Sequence, residues 1–442
     1  MVKLSGMLSQ FDPVHVLVIG DFLLDIYTTG KTKRMSPEAP VPILHVEKEE
    51  NRPGGAGNVV LNLISLGAQV TAVGRIGYDF AGKWLYDFLE AEGVDVRALL
   101  FQKGYKTSVK NRLVADSQQI LRLDHEEITP LLQDLEKKII QELPTLLKKV
   151  QIVAISDYGK GFLSCSLLKS VIHLAKKLFI PVIVDPKGED FSKYSGSTVI
   201  KPNLSEAITA AKLLKTSPLD QVAKVIFSQC CAEMLLITRS EEGMSLFKQS
   251  GYICDFSVPS KEVKDVTGAG DTVLAMMSIA LANQMDINHA VQLSNIAAGI
   301  AIEKLGCARV TLSNMVQRLL ELDVENKIFE EYHLFALQQS LKDVRYTILG
   351  IDSREGMSTA LFSTFRKLYS KRRESKLIIY ICDANPDQEF VLLLASLSEV
   401  DFIVLKSEGL KNLCEIMHPE HIFIMDQSEL IPLAHPTELF VL

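Results

Sequence analysis

Cysteine is sparse and unpatterned in this chain of 442 residues: there are seven, an odd number, with no C-x-x-C spacing, and the one close pair, Cys230 and Cys231, is adjacent. Adjacent thiols are badly placed for a disulfide or a metal knuckle, so neither a disulfide framework nor a zinc module is expected, and reduced thiols in a cytoplasmic setting are. Long hydrophobic runs are missing, and no stretch approaches the roughly 18 apolar residues of a membrane span. The first eleven residues lack an apolar core with a cleavage site, so neither export nor insertion is expected. Positive charge is not in surplus either. Lys and Arg number 47 against 54 Asp and Glu, a net charge of −7, which opposes unspecific attraction to nucleic acid or to an anionic membrane surface. Low-complexity tracts are also absent, and 47% hydrophobic with 23% charged residues describes a globular chain with enough apolar material for large cores. The length exceeds one small module and suggests one large and one small domain.

Residues 14–20 (VHVLVIG) form a β-rich apolar run that ends in glycine and hands over to Asp21, as a buried strand does when it delivers a side chain to a catalytic edge. From 27 to 50 polar and apolar residues alternate, with Pro37, Pro40 and Pro42 interrupting, which predicts short exposed strands forming a lid. A similar stretch at 107–123 is expected to pair with it. After Gly54-Gly55 the spacing turns helical at Val59, Leu63 and Leu66, and a strand follows at 70–73. Strand-like runs at 152–155, 181–184, 199–200 and 235–238 then alternate with helical segments, the cadence of a parallel sheet with crossover helices. Helices at 271–282 and 287–305 close a first domain near residue 320. Residues 321–344 are charged but keep helical apolar spacing and are expected to be a helical connector. Strands at 347–351, 377–382, 402–405 and 422–425 predict a small α/β domain over 345–442.

The segment with most chemical content is DVTGAGDTVLA at 265–275. Gly268, Ala269 and Gly270 carry little side-chain bulk, so an oxyanion or phosphoryl group can approach backbone N–H donors at the start of a helix. Asp271 then lies beside that anion and can take the proton of an attacking hydroxyl. Taken alone, G-A-G-D is also an ordinary turn with Asp at a helix start. A second small-residue cluster covers Gly54, Gly55, Ala56, Gly57 and Asn58 and continues to GRIGYD at 74–79. The run GYDFAGK at 77–83 has half the pattern of a P-loop, but Trp84 stands where a magnesium-binding Ser or Thr is required, and the P-loop reading is rejected.

In order and spacing these two clusters resemble the signature regions of the PfkB/ribokinase family of sugar and nucleoside kinases. The segments GDFLLD (20–25), RMSPEAPVP (34–42), RPGGAGNV (52–59), SDYGKG (156–161), DPKG (185–188), PNLSE (202–206) and TRSEEGMSL (238–246) resemble the kinase half of a bifunctional heptose-7-phosphate kinase/heptose-1-phosphate adenylyltransferase family. The resemblance covers about residues 14–320. It implies a ribokinase-like parallel-sheet domain with a small β lid, followed by a small Rossmann-like nucleotidylyltransferase-type domain. It further implies ATP and Mg2+ as cofactors, phosphorylation of the anomeric hydroxyl of D-glycero-β-D-manno-heptose 7-phosphate, and a homodimer in which lids pair.

Carried over by position, Asp271 is the base and Gly268, Ala269 and Gly270 are the anion hole. Asp25, Gly54, Gly55 and Asn58, with Asp21, would hold sugar hydroxyls. Arg34, Arg52, Lys160 and Lys187 are candidates for the substrate's own phosphate, which guanidinium groups grip in bidentate fashion. Asn203, Leu204, Ser205 and Glu206 would face the nucleotide, with Asn203 and Glu206 ordering magnesium and phosphate, and Thr238, Arg239 and Gly243 would line the nucleotide site. Helix capping is the alternative role for the N-x-x-E pair. Another sugar kinase of the family, or a non-catalytic binding protein of this fold, remains an alternative to the heptose reading.

The second domain resembles the adenylyltransferase half in its order of elements but departs from it in chemistry. Where that family has a histidine pair after the first strand, this chain reads Asp352-Ser353-Arg354-Glu355-Gly356-Met357-Ser358. A Ser-Thr-Thr segment is missing near the end, where the chain reads PTELFVL at 436–442. His418-Pro419-Glu420-His421 has the look of an H-x-G-H motif but precedes the last strand instead of following the first. A folded, non-catalytic second domain is expected.

Overall fold

The computed structural model describes residues 7–8, 11–115, 118–251, 253–258, 263–304, 306–371, 375–406, 408–426 and 429–433. The chain divides into two compact units, Val14–Val310 and a second made of Met1–Pro13 with Thr311–Leu442.

The first unit is built on a nine-stranded sheet. Its neighbours run Ile253–Phe256, Met244–Lys248, Met234–Thr238, Val199–Ile200, Val182–Asp185, Ile152–Ser156, His15–Gly20, Gln69–Gly77 and Asp95–Gln102. The seven strands from Met234–Thr238 to Asp95–Gln102 are parallel, and the other two fold back as antiparallel ribbons. Central strands such as Ile152–Ser156 are buried at every residue, which is why they read as continuous apolar runs without alternation. Crossover helices show one apolar face. Cys165–Lys177 starts at Ser164, whose hydroxyl accepts the Leu167 N–H at 3.1 Å, and ends on Lys176 and Lys177, which suit its negative end. Its Leu167, Leu168, Val171, Ile172 and Ala175 join one large core with Val153, Val184 and Ile200.

A parallel sheet gathers the carboxyl ends of its strands on one edge, and the lid grows out of that edge. The chain leaves His15–Gly20, passes Asp21 and continues as Phe22–Met35. That strand pairs antiparallel with Pro42–Gly55 and parallel with Val109–Ala115, which pairs in turn with Gln118–His125. The first two lid strands have 14 residues each, longer than the short strands expected over 27–50. Pro37 and Pro40 lie in the turn between them and Pro42 opens the returning strand, positions where a missing N–H breaks no ladder. Gly54 and Gly55 end that strand, and Gly55 is the N-cap of helix Ala56–Ser65.

The P-loop look-alike is a helix start. Asp79 caps Phe80–Ala91, accepting the Gly82 N–H at 2.7 Å, and its second oxygen accepts the Thr107 N–H at 2.7 Å. Lys83 is exposed.

The second unit holds a six-stranded sheet in the order Ile328–Glu330, Phe402–Leu405, Lys376–Ile381, Tyr346–Ile351, His421–Asp426, Glu429–Leu433, parallel except for the last pair. Residues 321–344 are therefore not a helical connector. They carry the edge strand Ile328–Glu330 and the short helix Phe335–Ser340, and the unit already begins at Thr311 with helix Leu312–Leu322. A three-residue strand is too short to display a period of its own, so flanking helical spacing masks it. Its Ile328 joins Leu349, Phe365, Ile379 and Ile403 in the unit's core.

Candidate active site

Helix Ala269–Ala282 begins two residues before the expected start at Asp271. Its N-cap, Gly268, has φ 81°, and a Cβ there would come within 2.7 Å of Asn58 Nδ2, so only glycine fits the turn. Asp271 falls in the first turn with 4% of its surface exposed. One carboxylate oxygen accepts from Asn58 Nδ2 and the other from the Tyr158 hydroxyl, each at 2.8 Å. Burial pushes the Asp271 carboxyl up to about 7; the nearby Asp185 charge adds to the rise, and the hydrogen bonds from Asn58 and Tyr158 oppose it. An acid of that pKa exchanges its proton near neutral pH, as a general base must.

Two cavities adjoin at Thr238 and Gly270. The first, of about 280 Å³, is polar, with Tyr158, Asp185, Lys187, Lys201, Asn203, Glu206 and Asp271 in its wall. The second, of about 350 Å³, is bounded mainly by small and apolar residues, among them Gly243, Met244, Val266, Ala269, Val273, Ala298, Gly299 and Ile302. The start of the Asp271 helix separates them. Charge at a phosphoryl group would meet the first-turn N–H groups of Gly270 and Asp271, which have no acceptor within the helix. The Ala269 N–H is engaged in the turn, donating to the Val266 carbonyl at 3.3 Å.

The expected residues do not all gather here. Asp21 is buried at the sheet edge and accepts the N–H groups of Tyr158 at 2.9 Å and Lys160 at 3.0 Å, so it shapes the SDYGKG loop. Burial raises its carboxyl, and Asp157 adds to that. Asp25 is buried in the lid and ion-paired with Arg112. A Cβ on Gly54 would lie 2.1 Å from Asp25 Oδ2, so this glycine is what lets the pair sit against the lid strand. Asn58, expected at the sugar hydroxyls, points its amide at Asp271. Lys160 lies at the base of the lid in an ion pair of 2.7 Å with Glu126.

Three of the candidate cations for the sugar phosphate are elsewhere. Lys187 belongs to the polar cavity and pairs with Glu206 at 2.8 Å. Arg52 pairs with Glu50 at 3.0 Å and stacks over Tyr27 at 5.0 Å, beside Cys307. Arg34 is exposed on the outer lid, nine residues or roughly 30 Å of strand beyond Asp25.

On the nucleotide side, Asn203 and Glu206 form a reciprocal capping box at the start of helix Leu204–Ala211, and both also face the polar cavity. Capping and site lining are therefore compatible. Leu204 packs on the core and Ser205 is exposed, and neither lines a cavity. Thr238 and Gly243 line the second cavity, whereas Arg239 ion-pairs with Glu242 at 3.1 Å outside it.

Residues absent from the sequence reading are Tyr158, Asp185, Lys201, Lys110 and Arg112. The first two stood inside the quoted segments SDYGKG and DPKG, but nothing in their spacing showed which side chain would turn toward Asp271. Asp185 and Lys201 pair at 2.9 Å in the polar cavity, and burial raises the Asp185 carboxyl. Among the described residues no group of three or more His, Cys, Asp or Glu is arranged to hold a metal by itself. Magnesium at phosphoryl-transfer sites is held mostly by substrate phosphates and water with one or two carboxylates. Asp185 and Glu206, two carboxylates in one polar cavity, fit that demand.

Among the described residues the second unit has no comparable cluster. After strand Tyr346–Ile351 the loop closes on itself: the Ser353 N–H donates to Asp383 at 2.8 Å, Ser353 Oγ donates to the same carboxylate, and the Asp387 N–H donates to Ser353 Oγ at 3.0 Å. His418 and His421 are both exposed, at the amino end of strand His421–Asp426. Ligands of open α/β sheets bind at carboxyl ends, the opposite edge. The buried Glu331 carboxylate accepts from Tyr380 at 3.0 Å and from the N–H groups of Glu408 at 2.9 Å and Gly409 at 3.1 Å, at the start of helix Leu410–Met417. The segment 436–442 lies outside the described residues.

A Gly-capped helix start with a buried carboxylate between a polar and an apolar cavity suits phosphoryl transfer to a hydroxyl. The model of the pfkB family carbohydrate kinases matches residues 14–314, and the chain belongs to that family. It is thus a phosphotransferase acting on a sugar hydroxyl.

The relatives are more particular. Bifunctional protein HldE of Helicobacter hepaticus is 41% identical over 335 residues, 74% of this chain and 69% of the relative. The protein of the same name from Campylobacter jejuni is 39% identical over 420 residues, 91% of this chain and 87% of the relative. Among solved structures, Escherichia coli phosphofructokinase-2 in complex with substrates and products superposes with a TM-score of 0.58 at 21% identity, over 70% of this chain and 99% of that one. Arabidopsis thaliana ribokinase complexed with ribose and ATP gives 0.54 at 18%, over 70% and 99%. At such identities the two structures speak for the fold. Among the described residues no helix is long and apolar enough to cross a membrane.

Proposed function

We propose that the protein transfers the γ-phosphoryl group of ATP to the anomeric hydroxyl of D-glycero-β-D-manno-heptose 7-phosphate, giving the 1,7-bisphosphate. The observation that carries the reaction is Asp271, buried and poised near neutral at the head of a helix between a polar and an apolar cavity. The substrate reading is supported by identity to two bifunctional HldE proteins along most of the chain and by the segments 34–42 and 156–161.

In this reading the apolar cavity takes the base of ATP, with Gly243 and Gly299 leaving room for a flat ring, and the phosphates extend past Thr238 and Gly270 into the polar cavity. Lys187 and Lys201 balance phosphate charge, while Asp185 and Glu206 would hold Mg2+. When bound, that ion would neutralise charge on the nucleotide's phosphates. Asp271 accepts the proton of the anomeric hydroxyl as its oxygen attacks the γ-phosphorus. The first-turn N–H groups stabilise charge on the transferred group without needing to reorganise. Asn58 and Tyr158 hold the carboxylate plane toward the sugar.

The second unit keeps the transferase-like sheet for stability, assembly or regulation, and adenylyl transfer is absent, because Ser353 and its neighbours fill the turn where the family has histidines. We further propose a cytoplasmic homodimer with paired lids; exposed Met35, Val46, Ile120 and Leu123 on the lid supply the apolar surface. The kinase unit runs to about residue 310.

The test is ADP release by the purified chain with Mg2+ and ATP against heptose 7-phosphate, fructose 6-phosphate, fructose 1-phosphate, ribose and adenosine, followed by assay for ADP-heptose. Heptose-dependent turnover with no ADP-heptose is expected. Preference for another sugar overturns the substrate, ADP-heptose overturns the inactive second unit, and nucleotide and sugar binding without turnover overturns catalysis.

A further inference from the structure

We propose that Lys110, on lid strand Val109–Ala115, and Lys160, in the loop that carries Tyr158, form the receptor for the phosphate the sugar substrate already bears. The inference rests on the sugar-phosphate reading above and names the residues that would make it specific. Of the cations in the conspicuous segments, Lys187 is engaged on the nucleotide side, Arg52 is paired with Glu50 and Arg34 stands on the outer lid. Lys160 is different. Its side chain is only 10% exposed, and among the described residues its one ion pair is to Glu126.

Lys110 faces the same spot from the lid. Its ammonium lies 5.7 Å from the centre of the Tyr158 ring, the ring whose hydroxyl touches Asp271. It is half-buried, close enough to Lys160 for mutual repulsion, and no ion pair is formed by it among the described residues. Burial pushes its pKa down most, the Lys160 charge adds to that, and the carboxylates of Glu126, Asp25 and Asp124 oppose it. Next to them Arg112 is already neutralised by Asp25, so it stiffens the lid strand and is not free for an incoming anion. Glu126 is taken up by Lys160 and Asp124 by Arg122, so two partly desolvated ammonium groups stand side by side with the nearby carboxylates already paired, an arrangement that a dianion relieves.

The placement also suits the reaction. Tyr158 and Lys160 are two residues apart in one loop, so their Cα atoms are at most roughly 7 Å apart. One end of that loop marks the reacting hydroxyl and the other the anion, about the length of one sugar. Because Lys110 comes from the lid, binding the phosphate draws lid and sheet edge together over the sugar, excluding water from the transfer.

The experiment compares the full chain with Lys110→Met, which keeps the apolar stem against Tyr158, and Lys110→Arg, which keeps the charge. The readout is the ratio of kcat/KM for heptose 7-phosphate to that for heptose without phosphate. Lys110→Met is expected to lower the ratio about 30-fold, mostly through KM, and Lys110→Arg to recover most of it. Binding of inorganic phosphate to protein saturated with ADP, measured by calorimetry, is expected to weaken in parallel. An unchanged ratio in Lys110→Met overturns the receptor. If the wild-type chain turns over no heptose 7-phosphate, the substrate reading fails by itself and the phosphate titration decides: weaker binding in Lys110→Met supports the receptor, and equal binding overturns it.

Discussion

Both units bury carboxylates, but they treat them differently. In Val14–Val310, Asp21, Asp25, Asp185 and Asp271 converge on the carboxyl edge of the sheet, and desolvation raises each of them. Their partners are sparse or shared, and the polar cavity opens beside Asp185 and Asp271. In the second unit Glu331 and Asp383 are surrounded by donors from neighbouring strands and loops, with hydroxyls and N–H groups aimed at them. A carboxylate saturated by donors of distant segments holds a fold together. One kept buried, raised and only partly satisfied is a cost the fold carries for chemistry.

The largest expected break in this comparison is Asp271→Asn, which should lower kcat/KM about 10³-fold or more with the circular dichroism unchanged. The same change should stabilise the unit at pH 8. The folded carboxyl near 7 lies above its unfolded value of 3.8, so between the two the native state binds more protons, and stability falls as pH rises from about 4 to about 7. Denaturant titrations at pH 5 and pH 8 should show that fall in the wild type and a flatter course in the variant.

The pH profile sharpens the point. Wild-type kcat/KM should lose its base form below about pH 7. Tyr158→Phe removes a donor that favours the charged carboxylate, so its acidic limb should move up by roughly one unit, and a limb that stays in place would reduce Tyr158 to packing. In the second unit, Glu331→Gln replaces an acceptor of several N–H and O–H groups by one that must also donate. We expect about 2 kcal/mol less stability in that unit, read by chemical denaturation, with kinase kcat/KM within twofold. The smallest effect is Asn203→Ala: loss of the capping box should cost about 1 kcal/mol and raise KM for ATP only a few-fold.

Local pattern accounts for what the sequence made legible. A buried parallel strand shows itself as an apolar run, so 14–20 and 152–155 were visible. Gly268 to Asp271 were visible because a bulk-free turn before a helix is written in consecutive residues. The lid alternation was visible, though not its length, since the outer halves of its strands face solvent on both sides. Strand Ile328–Glu330 was hidden by its three residues, and Glu429–Leu433 by its exposed, mixed composition.

The sequence by itself determined the parallel-sheet architecture, the family of the first unit, the bulk-free turn that sets Asp271 at the head of a helix and the missing histidines of the second unit, because each is encoded within a few neighbouring residues. Only the tertiary structure decided that Asn58, 213 positions from Asp271, donates to its carboxylate, that Glu206 both caps a helix and pairs with Lys187, and that Lys110 of the lid lies against the Tyr158 ring. These are contacts between residues far apart in the chain, and their partners are chosen by strand order and register, which no local spacing records.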